Sequence, residues 1–288
     1  MFIKQFVDEG LGNSSYLIGS EVTGLAAVID PQRDVDRYLQ VAEGLGLRLT
    51  YALDTHLHND FISGAHELLA QRGIIVGASA EARLEFEHQP LQSGATLPLG
   101  DVTIGVLATP GHTPEHISFT VTPIGQATPS AIFTGGALIV GGAARTDLLG
   151  PELTEHLSRQ LYHTLHDQLL RLPNEVPVYP THGAGSFCSA PVSAERSTTI
   201  GRERQGNTLL QATSEEEFIA QALRNLPDYP TYFRYMRPIN QRGPRVLNGL
   251  PLLEPVSPES VQRQMMQGVA VIDARPAHEF LAAHIPGS

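Results

Sequence analysis

Seven consecutive residues, Thr55-His56-Leu57-His58-Asn59-Asp60-Phe61, constrain this chain more than any other feature. They follow Leu49-Thr-Tyr-Ala-Leu53, a short apolar and β-branched run that reads as a buried strand. His56, His58 and Asp60 are spaced two apart, so on a continuing extended segment their side chains leave the same face. Two imidazoles and a carboxylate converging at a strand end suit a metal such as zinc or iron. A single His in such a place would read more simply as part of a polar turn. Here Gly111-His112-Thr113 and Thr181-His182-Gly183 repeat the theme downstream, and the three stretches together read as a metal site.

Composition bounds the rest. At 288 residues the chain has length for one large domain or two smaller ones. Its net charge of -11, with Lys4 the only lysine, argues against nucleic acid as a partner, because phosphate binding needs a concentrated basic surface. No apolar run approaches the length of a membrane span. The amino terminus lacks the basic start and continuous apolar stretch of a signal peptide, so a cytoplasmic protein without a membrane partner is expected. Cys188 is the only cysteine, which excludes an internal disulfide and fits a reducing compartment. Such a thiol is ordinarily a small buried hydrophobe. Its place six residues after His182, in Gly-Ala-Gly-Ser-Phe-Cys, also makes it a candidate substrate-binding residue.

Along the chain, residues 2–7, 14–18 and 24–30 read as strands, 35–45 as a helix, and 49–54 as the strand that delivers the histidines. A helix at 63–71 and a strand at 74–77 follow. Residues 96–109 hold two strands around a Gly100-Asp101 turn, a hairpin signal. Two more strands, at 116–122 and 130–134, precede a long helix over 151–172 and a last strand at 176–179. This order suits two sheets flanked by helices better than one parallel sheet. Residues 211–254 read as a helical and irregular connector packed on a domain of residues 1–210. Around 258 a new unit begins, with a helix, a strand at 269–273 and a short helix. About thirty residues cannot bury a core of their own, so 255–288 is expected to open a domain that it does not complete.

These motifs carry a resemblance. His-Leu-His-Asn-Asp at 56–60, Thr-Pro-Gly-His at 109–112, Phe-Thr-Gly at 133–135, Arg-Thr-Asp-Leu at 145–148 and Pro-Thr-His-Gly-Ala-Gly-Ser at 180–186 resemble the metallo-β-lactamase superfamily. Within it the chain is most similar to the persulfide dioxygenases and their fusions to rhodanese, and the likeness extends through Met-Arg-Pro-Ile-Asn at 236–240. The resemblance implies an α/β fold, a four-layer αββα sandwich, followed by a rhodanese-like α/β fragment at 255–288 that lacks the sulfur-accepting cysteine loop. It implies one divalent metal ion, Fe(II) before Zn(II), and a small thiol persulfide such as glutathione persulfide as substrate. A homodimer is compatible with it.

Two departures from the family pattern shape the expected site. Phe61 stands where dinuclear hydrolases of the superfamily carry a histidine, which removes a ligand from a second metal site. Gly136 stands where the dioxygenases carry an aspartate ligand. The expected ligand set is therefore His56, His58 and His112, a neutral three-His site, with Asp60 or Asp147 as alternative carboxylates. Asp60 and His182 are expected to orient water or substrate, and Arg145 to bind a substrate carboxylate or to pair with Asp147. On this alignment Gly136→Asp should tighten iron binding. Two further functions stay open: a zinc thioester hydrolase resembling glyoxalase II, and a metal-poor sulfur carrier or scaffold without catalysis.

Overall fold

Strands β1 (Phe2–Asp8), β2 (Asn13–Ser20) and β3 (Leu25–Ile29) form an antiparallel meander. Helix α1 (Asp36–Gly44), strand β4 (Arg48–Leu53), helix α2 (Ala65–Arg72) and strands β5 (Ile75–Ser79) and β6 (Gln89–Leu91) then extend it. The last three strands join in parallel, giving one sheet in the order β1-β2-β3-β4-β5-β6. Strands β7 (Thr96–Leu99) and β8 (Val102–Ala108) make the expected hairpin, with Leu99 opposite Val102 and Gly100 at φ +67 in its turn. With β9 (Ile117–Pro123), β10 (Ala131–Gly135), β11 (Pro177–Pro180) and β12 (Thr198–Thr199) they build a second sheet, ordered β12-β11-β10-β9-β8-β7. Helix α3 (Pro151–His163) lies between β10 and β11 in sequence, and α4 (Ile200–Gly206), α5 (Glu215–Ala222) and α6 (Phe233–Arg242) follow β12. The computed structural model describes residues 1–189, 193–224 and 226–288.

The period-two alternation of the strands decides the layering. In β3, Ala27 and Ile29 point between the sheets, where they meet Leu99, Ile104, Phe119 and Phe133. Their neighbour Val28 points outward to Val35, Tyr38, Ala65 and Leu68 of the α1 and α2 region. In β10, Phe133 joins the inter-sheet core while Ile132 packs outward on Leu161, Leu165 and Phe218. Residues 1–249 thus form the expected αββα sandwich. The loops that carry His56, His58, His112, His116 and His182 leave this sandwich at one end: after β4, between β8 and β9, and after β11.

Some elements differ from expectation for identifiable reasons. The helix expected over 151–172 ends as α3 at His163 and continues as a π-helical turn, Thr164–Gln168, and a 3-10 turn, Leu169–Arg171. Thr164 donates from its hydroxyl to Pro110 O at 2.7 Å, so the widened turn is tied to the loop carrying His112. Gly111, at φ +143, presses on the same helix; a Cβ there would lie 2.5 Å from Leu161 Cβ. Residues 233–242 form a full helix although Pro238 interrupts the sequence pattern.

Two compact units divide the chain, Met1–Gly249 and Leu250–Ser288. The second contains helices α7 (Pro258–Met266) and α8 (Ala277–Ala282). The strand expected at 269–273 forms no ladder, since the described residues of this unit offer it no partner strand. Among the described residues no helix is long and apolar enough to cross a membrane.

Phe119, fully buried between the sheets, is the most direct test of this core. Phe119→Ala is expected to lower the stability of the first unit by about 3–5 kcal/mol, measured as a fall in the urea midpoint at unchanged slope.

Candidate metal centre

Strand β4 ends at Leu53, and residues 54–61 run on as a buried loop rather than as extended strand. The period-two geometry therefore stops before His56, and His56 and His58 turn to different neighbours. Ligand-capable atoms of His56, His112 and His182 lie within 4.8 Å of one another, as do those of His58, Asp60 and His182, and those of Asp30, Asp54 and His58. The expected trio of His56, His58 and His112 is not among these groups. His182 takes the third place, and His58 instead brings Nε2 to 3.2 Å from Asp30 Oδ1.

The protons on the three grouped imidazoles follow from their partners. His112 Nδ1 lies 2.7 Å from Arg145 O, a carbonyl that can only accept, so Nδ1 carries the hydrogen. Asn13 donates from Nδ2 to Asp60 Oδ2 at 2.6 Å, which turns its Oδ1 toward His182 Nδ1 at 2.9 Å; that nitrogen also donates. Thr55 gives its hydroxyl hydrogen to Asp30 Oδ2 at 2.8 Å and so accepts from His56 Nδ1 at 2.9 Å. Burial holds all three imidazoles below their usual range, and the neighbouring histidines push His56 and His112 down further. Each ring is thus neutral with its hydrogen on Nδ1, which leaves three Nε2 lone pairs facing inward.

Those lone pairs do not satisfy one another. His56 Nε2 and His182 Nε2 approach to 3.3 Å with no hydrogen between them, and His112 Nε2 is buried without a partner. Repulsion of this kind is relieved by a cation among the nitrogens, and imidazoles held through Nδ1–H with Nε2 free are the form in which histidine ligates metals. The donor set fits a divalent metal.

The neighbouring groups have other tasks. His116 stacks on His56 with ring centroids 4.9 Å apart, but its Nδ1 is bonded to Thr109 Oγ1 and its Nε2 accepts from Gly136 N, so both nitrogens are engaged. Burial lowers the His58 imidazole, yet Asp30 beside it outweighs that and raises it; burial likewise opposes ionisation of Asp30, which His58 and Thr181 reverse. The Nε2 of His58 is turned to the Asp30 carboxylate and away from the Nε2 atoms of His56 and His112, which is the physical reason it stands outside their group. Phe61 lies against it, ring centroids 4.1 Å apart. Asp60 is buried, with Oδ1 unpartnered.

Arg145 and Cys188 do not present open groups to a substrate. Arg145 pairs with Asp147 through Nε and Nη2 at 2.6 and 2.7 Å, donates from Nη1 to Pro227 O at 2.7 Å, and lies over the Tyr229 ring. The Asp147 alternative falls with it, since that carboxylate is held by Arg145 and belongs to none of the three donor groups. Cys188 is fully buried, and burial together with nearby Asp60 pushes its thiol well up from the usual range. Gly136 does lie at the cluster: a Cβ there would come within 2.6 Å of His112 Cδ2. The aspartate expected to tighten iron binding must therefore first displace the His112 ring.

Sequence reasoning missed Asn13, Asp30, Thr55, Glu115 and Asn240, which act through hydrogen bonds on the histidines or on the loops that carry them. Thr55 opens the histidine stretch itself, Glu115 lies inside Thr-Pro-Glu-His and Asn240 inside Met-Arg-Pro-Ile-Asn; Asn13 and Asp30 lay in no motif that could have drawn attention.

The profile described as Metallo-beta-lactamase superfamily matches residues 8–182. The human protein named persulfide dioxygenase ETHE1, mitochondrial, is 31% identical over 246 residues, covering 84% of this chain and 88% of the relative. A hydroxyacylglutathione hydrolase from Polaromonas is 30% identical, covering 76% of this chain and 88% of its own length. Among solved structures, a metallo-beta-lactamase from Staphylococcus aureus superposes with TM-score 0.88 at 31% identity, covering 100% of this chain and 84% of that one. ETHE1 from Myxococcus xanthus superposes at 0.73 with 32% identity, covering 84% and 98%.

Two substitutions probe the geometry. Asn13→Ala frees His182 to rotate and is expected to weaken divalent-metal binding about tenfold to a hundredfold in chelator competition. Gly136→Ala crowds His112 and should weaken binding as well, so the gain of Gly136→Asp over Gly136→Ala measures what a carboxylate adds.

Proposed function

The chain belongs to the metallo-beta-lactamase superfamily, and on that footing we propose that it is a mononuclear, iron-dependent oxygenase converting the outer sulfur of a small thiol persulfide to sulfite. The observation that carries the reading is the convergence of three buried Nε2 lone pairs, from His56, His112 and His182. Its kinship to a protein named persulfide dioxygenase supports the chemistry. The balance is R–S–SH + O2 + H2O giving R–SH and sulfurous acid: both oxygens of O2 and one from water reach the outer sulfur, and the inner sulfur leaves as the thiol.

Bound Fe(II) would supply a single site at which oxygen and persulfide sulfur meet. His56, His112 and His182 would hold it as a neutral three-His set, the composition expected from the sequence with His182 in place of His58. Asp60 would accept a hydrogen bond from water or from the persulfide at its unpartnered Oδ1. The His58–Asp30 pair holds a proton behind the centre. Phe61 supports a single metal, because a phenyl ring offers no lone pair to a second ion. We take glutathione as the carrier thiol and assign no sulfurtransferase step to residues 255–288, whose rhodanese-like reading rests on sequence resemblance.

A second reading, a zinc-dependent thioester hydrolase, is supported by the hydroxyacylglutathione hydrolase relative and by the second donor group, His58, Asp60 and His182. Metal analysis of protein purified without added metal separates the two. The dioxygenase reading expects a single iron per chain and oxygen uptake on glutathione persulfide. Zinc with thioester cleavage and no oxygen uptake supports the hydrolase, and negligible metal rejects both. His182→Gln is expected to lose most of the metal while His58→Gln keeps it. The reverse pattern would restore the ligand set read from the sequence.

A further inference from the structure

Helix α6, part of the stretch read from sequence as a surface connector, reaches both loops that carry the candidate ligands. Asn240 is buried and uses its whole amide: Nδ2 donates to His58 O and to Phe61 O, each at 2.9 Å, and Oδ1 accepts from Ser63 N at 3.0 Å. Three backbone groups of the loop after β4, which no strand partner satisfies, are closed by one side chain. One turn earlier, Arg237 forms a two-pronged pair with Glu115, at 2.9 and 2.8 Å. Glu115 lies between His112 and His116, is itself buried, and accepts from Leu57 N at 3.0 Å. Leu57 lies between His56 and His58. A single helix face therefore fixes the loop of His56 directly and joins it, through Glu115, to the loop of His112.

We propose that α6 is a clasp that sets the spacing of His56 and His112, with Asn240 and Arg237 as positioning residues for the metal centre. The proposal rests on the three-His reading above. A planar amide satisfying three fixed backbone groups admits only one placement of the loop, and the forked Arg–carboxylate pair fixes direction as well as distance. Neither residue belongs to a donor group, and both spend their polar atoms on the loops. Both act by restricting where the imidazoles stand, so their loss should alter affinity and coordination geometry together.

The test uses the full chain, metal-free and then titrated with Co(II) alone, in three variants: Asn240→Ala, Arg237→Lys and Phe233→Leu. Phe233 is buried on the same helix and makes none of these hydrogen bonds, so its variant reports general loosening of α6. In metal-free protein, Asn240→Ala should accelerate amide exchange at Ser63, and Arg237→Lys at Leu57, by tenfold or more. On titration both should bind Co(II) about tenfold to a hundredfold more weakly and with shifted visible bands, while Phe233→Leu leaves affinity and bands as in the parent. Unchanged exchange at Ser63 and Leu57 overturns the clasp. Equal loss of Co(II) affinity in Phe233→Leu also overturns it, by reducing α6 to ordinary packing. Should Asn240→Ala fail to fold, Arg237→Lys decides by the same measurements. A parent chain that takes up no Co(II) overturns the metal reading and with it the positioning role, and the exchange data then report the hydrogen bonds alone.

Discussion

The carboxylate of Asp30 is wholly removed from solvent, and the candidate site is arranged around keeping it satisfied. It accepts from Thr55 N at 2.7 Å, from the hydroxyls of Thr55 and Thr181, and faces His58. A buried charge without such partners would be strongly destabilising. Satisfying it has directional consequences. Because Thr55 spends its hydrogen on Asp30, it can only accept from His56, which fixes that imidazole's tautomer. Thr181 is drawn to the same carboxylate, and His182 follows it in the chain. Asp30 occupies the left-handed region at φ +49, a conformation that Asp tolerates better than most residues, so the turn after β3 presents the carboxylate to the loops after β4 and β11.

Negative charge is thus held one step away from the three grouped nitrogens. Ser63 Oγ directs its one hydrogen between the two oxygens of Asp54, and burial, with Asp30 nearby, raises that carboxyl to about 7. Glu115 is committed to Arg237 and Leu57 N, and Asp60 to Asn13. The three-His cluster contains no carboxylate of its own, in keeping with Gly136. An ion bound there would keep its formal charge while sensing carboxylates behind the ligands, and metal-bound anions would be held more tightly than in a site with a carboxylate ligand.

Much of the sandwich was legible because period-two alternation and turn chemistry are local. The hairpin at Gly100-Asp101 and the outward Val28 between inward Ala27 and Ile29 are cases where local pattern and packing agree. The histidine loops were legible as loops. Which nitrogens meet was not, for two reasons. The alternation that seemed to align His56 with His58 ends at Leu53. And His182 is aimed by Asn13, 169 residues away, through a bridge that no local pattern announces. Helix α6 was hidden by Pro238 and by inward-facing residues, Arg237 and Asn240, that are polar. Residues whose work is to satisfy other groups leave no periodic trace.

The three Nδ1 acceptors differ in kind. Those for His56 and His182 are side chains, Thr55 and Asn13, whereas His112 is aimed by the main-chain carbonyl of residue 145. Every amino acid supplies that carbonyl, so mutational drift can detune two imidazoles independently while the third keeps its orientation as long as the backbone holds its course. For a chain with Gly136 at the cluster, where no side chain adds a donor, this gives the pocket one imidazole whose aim comes with the fold and is insulated from ordinary sequence variation.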